Sequence, residues 1–346
     1  MAGMLATCQP GCEGLLAREL GAAGVAGRET GPGWVWTDPP PAGAVPESAF
    51  AHWLLPAAHE LRGAAVNALA LQAADFFQAA LGDERLAAPW PCVWAAAGGV
   101  PGLTRRMAAV EKAFHERLRR GRARLARLAV PEPPRHPGPA RGLFVFFVSF
   151  DRAWIARGAV LGGQRRMADD PAAPSRSYLK VEEAYGLLGA EPGPGETVAD
   201  LGAAPGGWSY SAAKRGARVV AVDNGPLKGG ARDHPLVTAR AEDAFRFQPE
   251  PGRRFDWLFC DLVEEPHHVL RDLVTPWLAR RWCRRFVINL KFGRTDPVAL
   301  LAELRAPASP LDAHAANCRL RHLYHDREEF TAVGTVGAPR RPCIQA

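Results

Sequence analysis

One nine-residue stretch restricts the fold more than any other: Asp200-Leu201-Gly202-Ala203-Ala204-Pro205-Gly206-Gly207-Trp208. An apolar, strand-like run over residues 197–203 leads into it, and a helical run leaves it from about Trp208. Glycines between a strand and a helix allow a tight turn and a close approach of backbone to a ligand. The next strand-like run, residues 217–223, ends at Asp223, about 20 residues further on, where a carboxylate can accept hydrogen bonds from both hydroxyls of an adenosine ribose. Asp243, after a weaker third strand at 236–239, could reach an adenine amine. The spacing Gly202-x-x-x-Gly206-Gly207 does not fit the dinucleotide pattern G-x-G-x-x-G. The ligand implied is a nucleoside without a pyrophosphate, which suits S-adenosylmethionine better than NAD.

From Ser175 onward strands and helices alternate, the signature of a parallel α/β sheet. Residues 178–188 read as a helix, and 255–261 and 285–291 as further strands. The runs 319–324 and 329–336 leave little room for a crossover helix and suit an antiparallel pair at the sheet edge. Before Ser175 the pattern differs. Short strands are expected near 33–37 and 92–95, helices near 64–80 and 104–128, a proline-rich loop at 131–139 and a β-like run at 143–150. On the 104–128 helix, Phe114, Leu118, Leu125 and Leu128 share one face, and Arg117, Arg120, Arg124 and Arg127 another. The arginine face is either a phosphate-tracking stripe or a solvated surface. Length and pattern together predict two domains, an N-terminal one over 1–160 with its linker and a Rossmann-like one over 161–346.

Ligands of an open α/β sheet bind beyond the carboxyl ends of its strands. The strand at 255–261 ends in Cys260-Asp261 and the strand at 285–291 in Asn289-Leu290-Lys291, so Asp261 and Lys291 are expected side by side near the glycine turn. Composition sharpens this. Of 43 basic residues only five are lysine: Lys112, Lys180, Lys214, Lys228 and Lys291. Where arginine is used for almost every positive charge, a lysine marks a place where arginine would not serve, and Lys180 and Lys291 both fall at this rim. The formal charge of +7 favours a polyanionic partner. The seven cysteines are scattered and odd in number, which reads as reduced thiols in the cytoplasm, with no metal site. No signal peptide is evident, and no apolar run approaches the ~20 residues of a membrane span, so no membrane partner is expected.

Ser175-Arg176-Ser177-Tyr178-Leu179-Lys180-Val181-Glu182-Glu183, the Asp200–Trp208 turn, Cys260-Asp261, Asn289-Leu290-Lys291 and Tyr324-His325-Asp326-Arg327-Glu328-Glu329 resemble the FtsJ-like ribose 2′-O-methyltransferases over about residues 165–336. Within that family the nearest resemblance is to the RlmM type, which methylates a cytidine ribose in large-subunit ribosomal RNA. The resemblance implies a class I S-adenosylmethionine-dependent methyltransferase domain behind a smaller N-terminal α+β, THUMP-like RNA-binding domain. It implies ribosomal RNA, or its precursor, as partner. It also implies a catalytic tetrad of Lys180, Asp261, Lys291 and a glutamate of the Glu328-Glu329 pair; Glu329 is favoured because it abuts the strand. Cofactor contacts implied are Ser177, Ala204, Pro205, Gly206, Gly207, Asp223, Asp243 and Asp261, beside Gly202 and Trp208 of the turn. Lys291 is expected to act as general base, with its pKa lowered by burial, by the sulfonium and by the second lysine. Ala204 stands where this type can carry cysteine, and residues 1–140 match only loosely. The oligomeric state is open, with a monomer favoured.

Two other classes stand beside this reading: a non-catalytic RNA-binding or ribosome-assembly factor on the same fold, and an NAD-dependent oxidoreductase. Three local motifs are expected to be incidental. Asp38-Pro39-Pro40-Pro41 lacks the aromatic of a base-amine methyltransferase loop, Pro91-Cys92 and Pro342-Cys343 lie away from the rim, and His267-His268 begins a helix rather than binding metal.

Overall fold

The alternating runs of the C-terminal half fold as strands and helices of one sheet, and the less regular N-terminal half forms a sheet of its own. The computed structural model describes residues 3–41 and 44–337. The chain divides into two units, Met1–Gly163 and Gln164–Ala346.

Unit 1 contains β1 (Met4–Thr7), α1 (Glu13–Ala22), β2 (Gly27–Gly31), β3 (Trp34–Thr37), β4 (Trp53–Leu55), β5 (His59–Arg62), α2 (Val66–Leu81), β6 (Trp90–Ala96), α3 (Leu103–Leu128), β7 (Ala129–Val130), β8 (Gly138–Phe147) and β9 (Arg152–Leu161). The strand order is β2-β3-β1-β4-β9-β8-β6-β7, with β5 also on β9. Helix α3 turns Val110, Phe114, Leu118 and Leu125 into the core, where Phe114 meets Phe77 and Trp94. Arg120, Arg124 and Arg127 are exposed and Arg117 is half-buried. The expected loop at 131–139 is shortened, because β8 begins at Gly138 and carries Pro139 opposite Val160. The expected β-run at 143–150 stops at Phe147, and residues 148–151 turn the chain into β9.

Unit 2 contains α4 (Tyr178–Leu188), β10 (Thr197–Leu201), α5 (Gly207–Ala213), β11 (Arg218–Val222), β12 (Val237–Arg240), β13 (Phe255–Cys260), β14 (Cys283–Lys291), β15 (Ala315–Arg321) and β16 (Glu329–Val336). Its sheet runs β12-β11-β10-β13-β14-β16-β15. The first five strands are parallel; β16 is antiparallel to β14, and β15 to β16. The sheet is thus parallel with an antiparallel pair at one edge, with β16 placed between β14 and the edge strand. Strand β15 begins four residues before the expected 319 and takes a register shift between Ala316 and Arg319. Core side chains include Trp208, Trp257, Phe259, Val287 and Val333. The carboxyl ends of β10, β11, β13 and β14 all emerge on one side, together with the amino end of β16.

No helix among the described residues is long and apolar enough to cross a membrane. Cys8, Cys12, Cys92, Cys260, Cys283 and Cys318 are free thiols. Cys343, with Pro342, lies outside the described residues. Pro91-Cys92 is part of β6 with Cys92 buried, Asp38 pairs with Arg28, and His267-His268 open a helix capped by Glu265.

Candidate active site

Strand pairing explains how the site is assembled. Lys291 ends β14 directly opposite Glu329, the first residue of β16, and Asn289 lies opposite Thr331 two rungs back. Side chains two apart on a strand share a face, so these two rungs present four polar groups on one side of the sheet. Neighbouring β13 ends one residue before Asp261, whose Oδ1 accepts from both Lys291 Nζ (2.9 Å) and Asn289 Nδ2 (3.0 Å). Lys291 Nζ also reaches Glu329 Oε2 at 3.3 Å, and Glu329 Oε1 accepts from Lys180 Nζ at 2.6 Å. Lys180 comes from the first turn of α4. Two ammonium groups and two carboxylates thus form one continuous chain, Lys180–Glu329–Lys291–Asp261. Glu328 is left exposed, its carbonyl accepting from Phe292 N.

The charges around Lys291 change one expectation. Burial pushes Lys291 toward the neutral form, but the charges of Asp261 and Glu329, with their hydrogen bonds, outweigh it, and its pKa lies above the ordinary lysine value. The sequence reading expects a lowered value; the two facing carboxylates raise it instead. Burial likewise pushes Glu329 up, and the ammonium groups of Lys180 and Lys291 bring it below the usual carboxylate range.

A second, deeper layer holds this one. Thr331 Oγ1 lies within hydrogen-bond distance of Asn289 Oδ1 (3.0 Å) and of Asp326 Oδ2 (3.1 Å), and Asp326 Oδ2 also accepts from Leu323 N. Asp326 is fully enclosed, and burial raises its carboxyl well above the usual range. Glu183 of α4 receives three backbone N–H groups, from Arg165, Tyr324 and His325, and so ties the loop before β16 to the helix that carries Lys180.

The glycine turn adjoins this cluster through β10 and β13. Gly202 has φ +79°, and a Cβ there would meet Leu262 at 2.7 Å. A Cβ on Gly206 would meet Ala231 at 2.6 Å, and one on Gly207 would meet the hydroxyls of Ser175 and Ser177 at 2.8 and 2.9 Å. These glycines are therefore required by the protein's own packing. Trp208 is buried in the core, donating from its ring to the Ser177 carbonyl, so only its backbone is left to face a ligand. Ala204 and Pro205 are half-buried on the turn. Asp223 accepts from Ala204 N (3.0 Å) and Gly225 N (2.7 Å). Asp243 is exposed on the loop after β12, bonded to Phe245 N and near Arg246; no bond joins it to the other candidates.

Asp200 opens the glycine motif, yet sequence reasoning does not single it out as a site residue. It is buried at β10, between the strands that lead to Asp223 and Asp261; Oδ2 accepts from Ser209 Oγ, and Oδ1 has no partner among the described residues. Burial raises its pKa to about 7, despite the Ser209 bond, and the Asp261 and Asp223 charges push the same way. An orphaned buried carboxylate oxygen among three neighbouring carboxylates fits a ligand that brings positive charge and adenosine hydroxyls. Lys291 and Glu329 also line a cavity of about 830 Å³, together with Val263, Phe292, Arg294 and Arg327. A cavity of about 720 Å³ in unit 1 has Arg28, Arg62 and Arg152 in its wall, each in an ion pair with Asp38, Glu60 or Glu29. No group of three or more His, Cys, Asp or Glu suited to a metal ion occurs among the described residues.

Residues 173–276 match the FtsJ-like methyltransferase family. Unit 2 carries an FtsJ-like methyltransferase domain. The chain's sequence is similar to proteins named ribosomal RNA large subunit methyltransferase M. That of Laribacter hongkongensis is 45% identical over 175 residues, covering 48% of each chain. That of Halorhodospira halophila is 44% identical over 171 residues, covering 49% of each. That of Chromohalobacter salexigens is 39% identical over 212 residues, covering 57% of this chain and 58% of its own. The chain matches about half the length of these curated relatives. The family match includes α4 and β10 to β13, with Lys180 and Asp261; Lys291 and Glu329 lie beyond it, on β14 and β16.

Proposed function

We propose that this protein transfers a methyl group from S-adenosylmethionine to a ribose 2′-hydroxyl of RNA, with a cytidine of large-subunit ribosomal RNA as the target nucleotide. The observation that carries the reading is the continuous Lys180–Glu329–Lys291–Asp261 network, built from four separate elements beside the glycine turn. The names of the relatives support ribosomal RNA as substrate. The cofactor, when bound, supplies an electrophilic methyl and a positive charge that disfavours a second cation at Lys291.

The chain's own residues do the rest. Asp223 would hold the ribose of the cofactor, the backbone of residues 204–207 and Ser177 would help to bind it, and the carboxylates of Asp200 and Asp261 would favour its positive charge. Lys291 Nζ, once neutral, accepts the proton of the substrate hydroxyl. Asp261, itself fixed by Asn289, orients Nζ, and Lys180 with Glu329 positions the hydroxyl oxygen for in-line attack. Arginine could not take the role of Lys291, because a guanidinium does not release its proton near neutral pH. The cavity beside Lys291, with Arg294 and Arg327 in its wall, would admit the target nucleotide. Unit 1 is proposed as the RNA-binding, THUMP-like part.

Calorimetric titration with S-adenosylmethionine and, separately, NAD tests the cofactor reading. Binding of the former alone is expected, and preferential binding of NAD would end it. Methyl transfer to unmodified large-subunit ribosomal RNA separates an enzyme from a non-catalytic assembly factor on the same fold.

A further inference from the structure

Positive charge is concentrated on one helix of this chain. Helix α3 carries nine basic and two acidic residues, a net of +7, equal to the formal net charge of the entire sequence. Taking nine from 43 basic residues and two from 36 acidic ones leaves 34 of each sign for everything else. Six of the arginines, Arg117, Arg119, Arg120, Arg122, Arg124 and Arg127, crowd into the last dozen positions. None of the six has an ion-pair partner among the described residues; Arg119 donates to the His115 carbonyl of its own helix. Pairs such as Arg117/Arg120 before the interruption at Arg122 and Arg124/Arg127 after it stand three residues apart, where like charges repel and destabilise a helix. The helix dipole compensates only within the final turn, which reaches Arg127 and little more. Nothing within the described fold balances this repulsion.

We propose that the solvent face of α3 is a docking surface for the phosphate backbone of RNA. This proposal rests on the reading of RNA as substrate and names the part of unit 1 that grips it. The helix has 26 residues, about 39 Å at 1.5 Å per residue, and its path is interrupted at Arg122. An amphipathic basic helix can instead lie on a membrane or enter an apolar groove, but both modes need a free apolar face. Here that face is spent: Val110, Phe114, Leu118 and Leu125 are buried in the core of unit 1. What remains outside is a row of guanidinium groups, which suits a polyanion gripped through its phosphates. Such a grip positions the substrate without reading its sequence, leaving selection of the nucleotide to the methyltransferase domain.

The test uses the full chain and a fragment of unmodified large-subunit ribosomal RNA, with affinity measured by filter binding over a series of potassium chloride concentrations. Replacing Arg120, Arg124 and Arg127 by Gln removes three exposed charges. Every phosphate that is no longer neutralised lowers the salt slope by roughly 0.7–0.9, so the triple variant's slope should flatten by about 2–3, with Kd raised about 10–100-fold near physiological salt. The same three positions changed to Lys should keep the wild-type slope. Replacing exposed Arg85, Arg135 and Arg253 by Gln alters net charge equally but should change the slope little. Turnover at saturating RNA should be unchanged in all three. The proposal is overturned if the α3 Gln variant binds like wild type, if the scattered variant is weakened as much, or if phosphatidylserine vesicles are bound through α3 while RNA is not. Because RNA affinity is read without methyl transfer, an inactive but α3-dependent binder would sink the enzymatic reading and leave this one standing.

Discussion

Lys291 sits between two carboxylates, and that position governs how the site responds to pH. Its pKa is raised in the free protein, because Asp261 and Glu329 outweigh burial. A base must be neutral to accept a proton, so the fraction of competent free enzyme grows as pH rises toward the raised pKa. The logarithm of kcat/KM, which reports the free enzyme, should therefore climb with pH at a slope near one across the neutral to alkaline range. A flat profile would mean that Lys291 is not the base. Lys291→Ala should lower kcat by ~10²–10⁴-fold while cofactor affinity is nearly kept, and Lys291→Arg should be equally inactive because it restores charge without basicity. Asp200 gives a different signature. Its folded-state pKa of about 7 lies above the ordinary 3.8, so the native state keeps a proton that the unfolded chain releases. Stability from this group is complete below about pH 4 and is lost as pH rises to about 7. Denaturant melts should show that Asp200→Asn loses less stability than wild type between pH 4 and pH 7. The scarcity of lysine made Lys180 and Lys291 visible from the sequence. Asn289, Thr331 and Asp326 were hidden, since their part depends on strand register and on burial, and neither is written in a motif.

At the scale of elements, β14 and β16 hold the site because their antiparallel register puts Lys291 opposite Glu329. A one-residue slip would turn Glu329 to the other face and bring Glu328 in, so the register itself separates the two glutamates. The tie from α4 to the loop before β16 runs through Glu183, whose two oxygens accept three backbone N–H groups. Glu183→Gln has one acceptor oxygen; turned toward Arg165 and Tyr324, it sets an amide NH2 against His325 N–H. A buried donor is then unsatisfied, and the expected loss is about 1–3 kcal/mol in unfolding free energy. Chemical denaturation measures it, and an unchanged midpoint would show the tie to be dispensable. The strands of unit 2 were legible because each is a continuous apolar run bounded by turn residues. Those of unit 1 were not. Strand β1 is four residues long and wholly buried, and β2 is five residues of Gly, Arg, Glu and Thr, mostly exposed. Neither has room to display alternation, and their pairing with β3 is non-local for β1 and irregular in register for β2.

For the whole molecule, the two candidate functions fall on different units: the dense basic helix α3 is in unit 1, and the paired lysines and carboxylates are in unit 2. That Lys180, Asp261 and Lys291 share one rim could be read from strand ends and lysine scarcity, and Glu329 from the resemblance, but the arginine face stayed open between surface and interface, since a periodic stripe looks the same in both. The central claim concerns one oxygen atom. It is tested by incubating the full chain with methyl-labelled S-adenosylmethionine and unmodified large-subunit ribosomal RNA, then hydrolysing the RNA in alkali. A methyl on the 2′-oxygen blocks cleavage of the adjoining phosphodiester, so the label is predicted in an alkali-resistant dinucleotide, formed ~10²–10⁴-fold more slowly by Lys291→Ala. Label on a base in a fully cleaved mononucleotide, or in a dinucleotide formed by Lys291→Ala at the wild-type rate, would contradict the account.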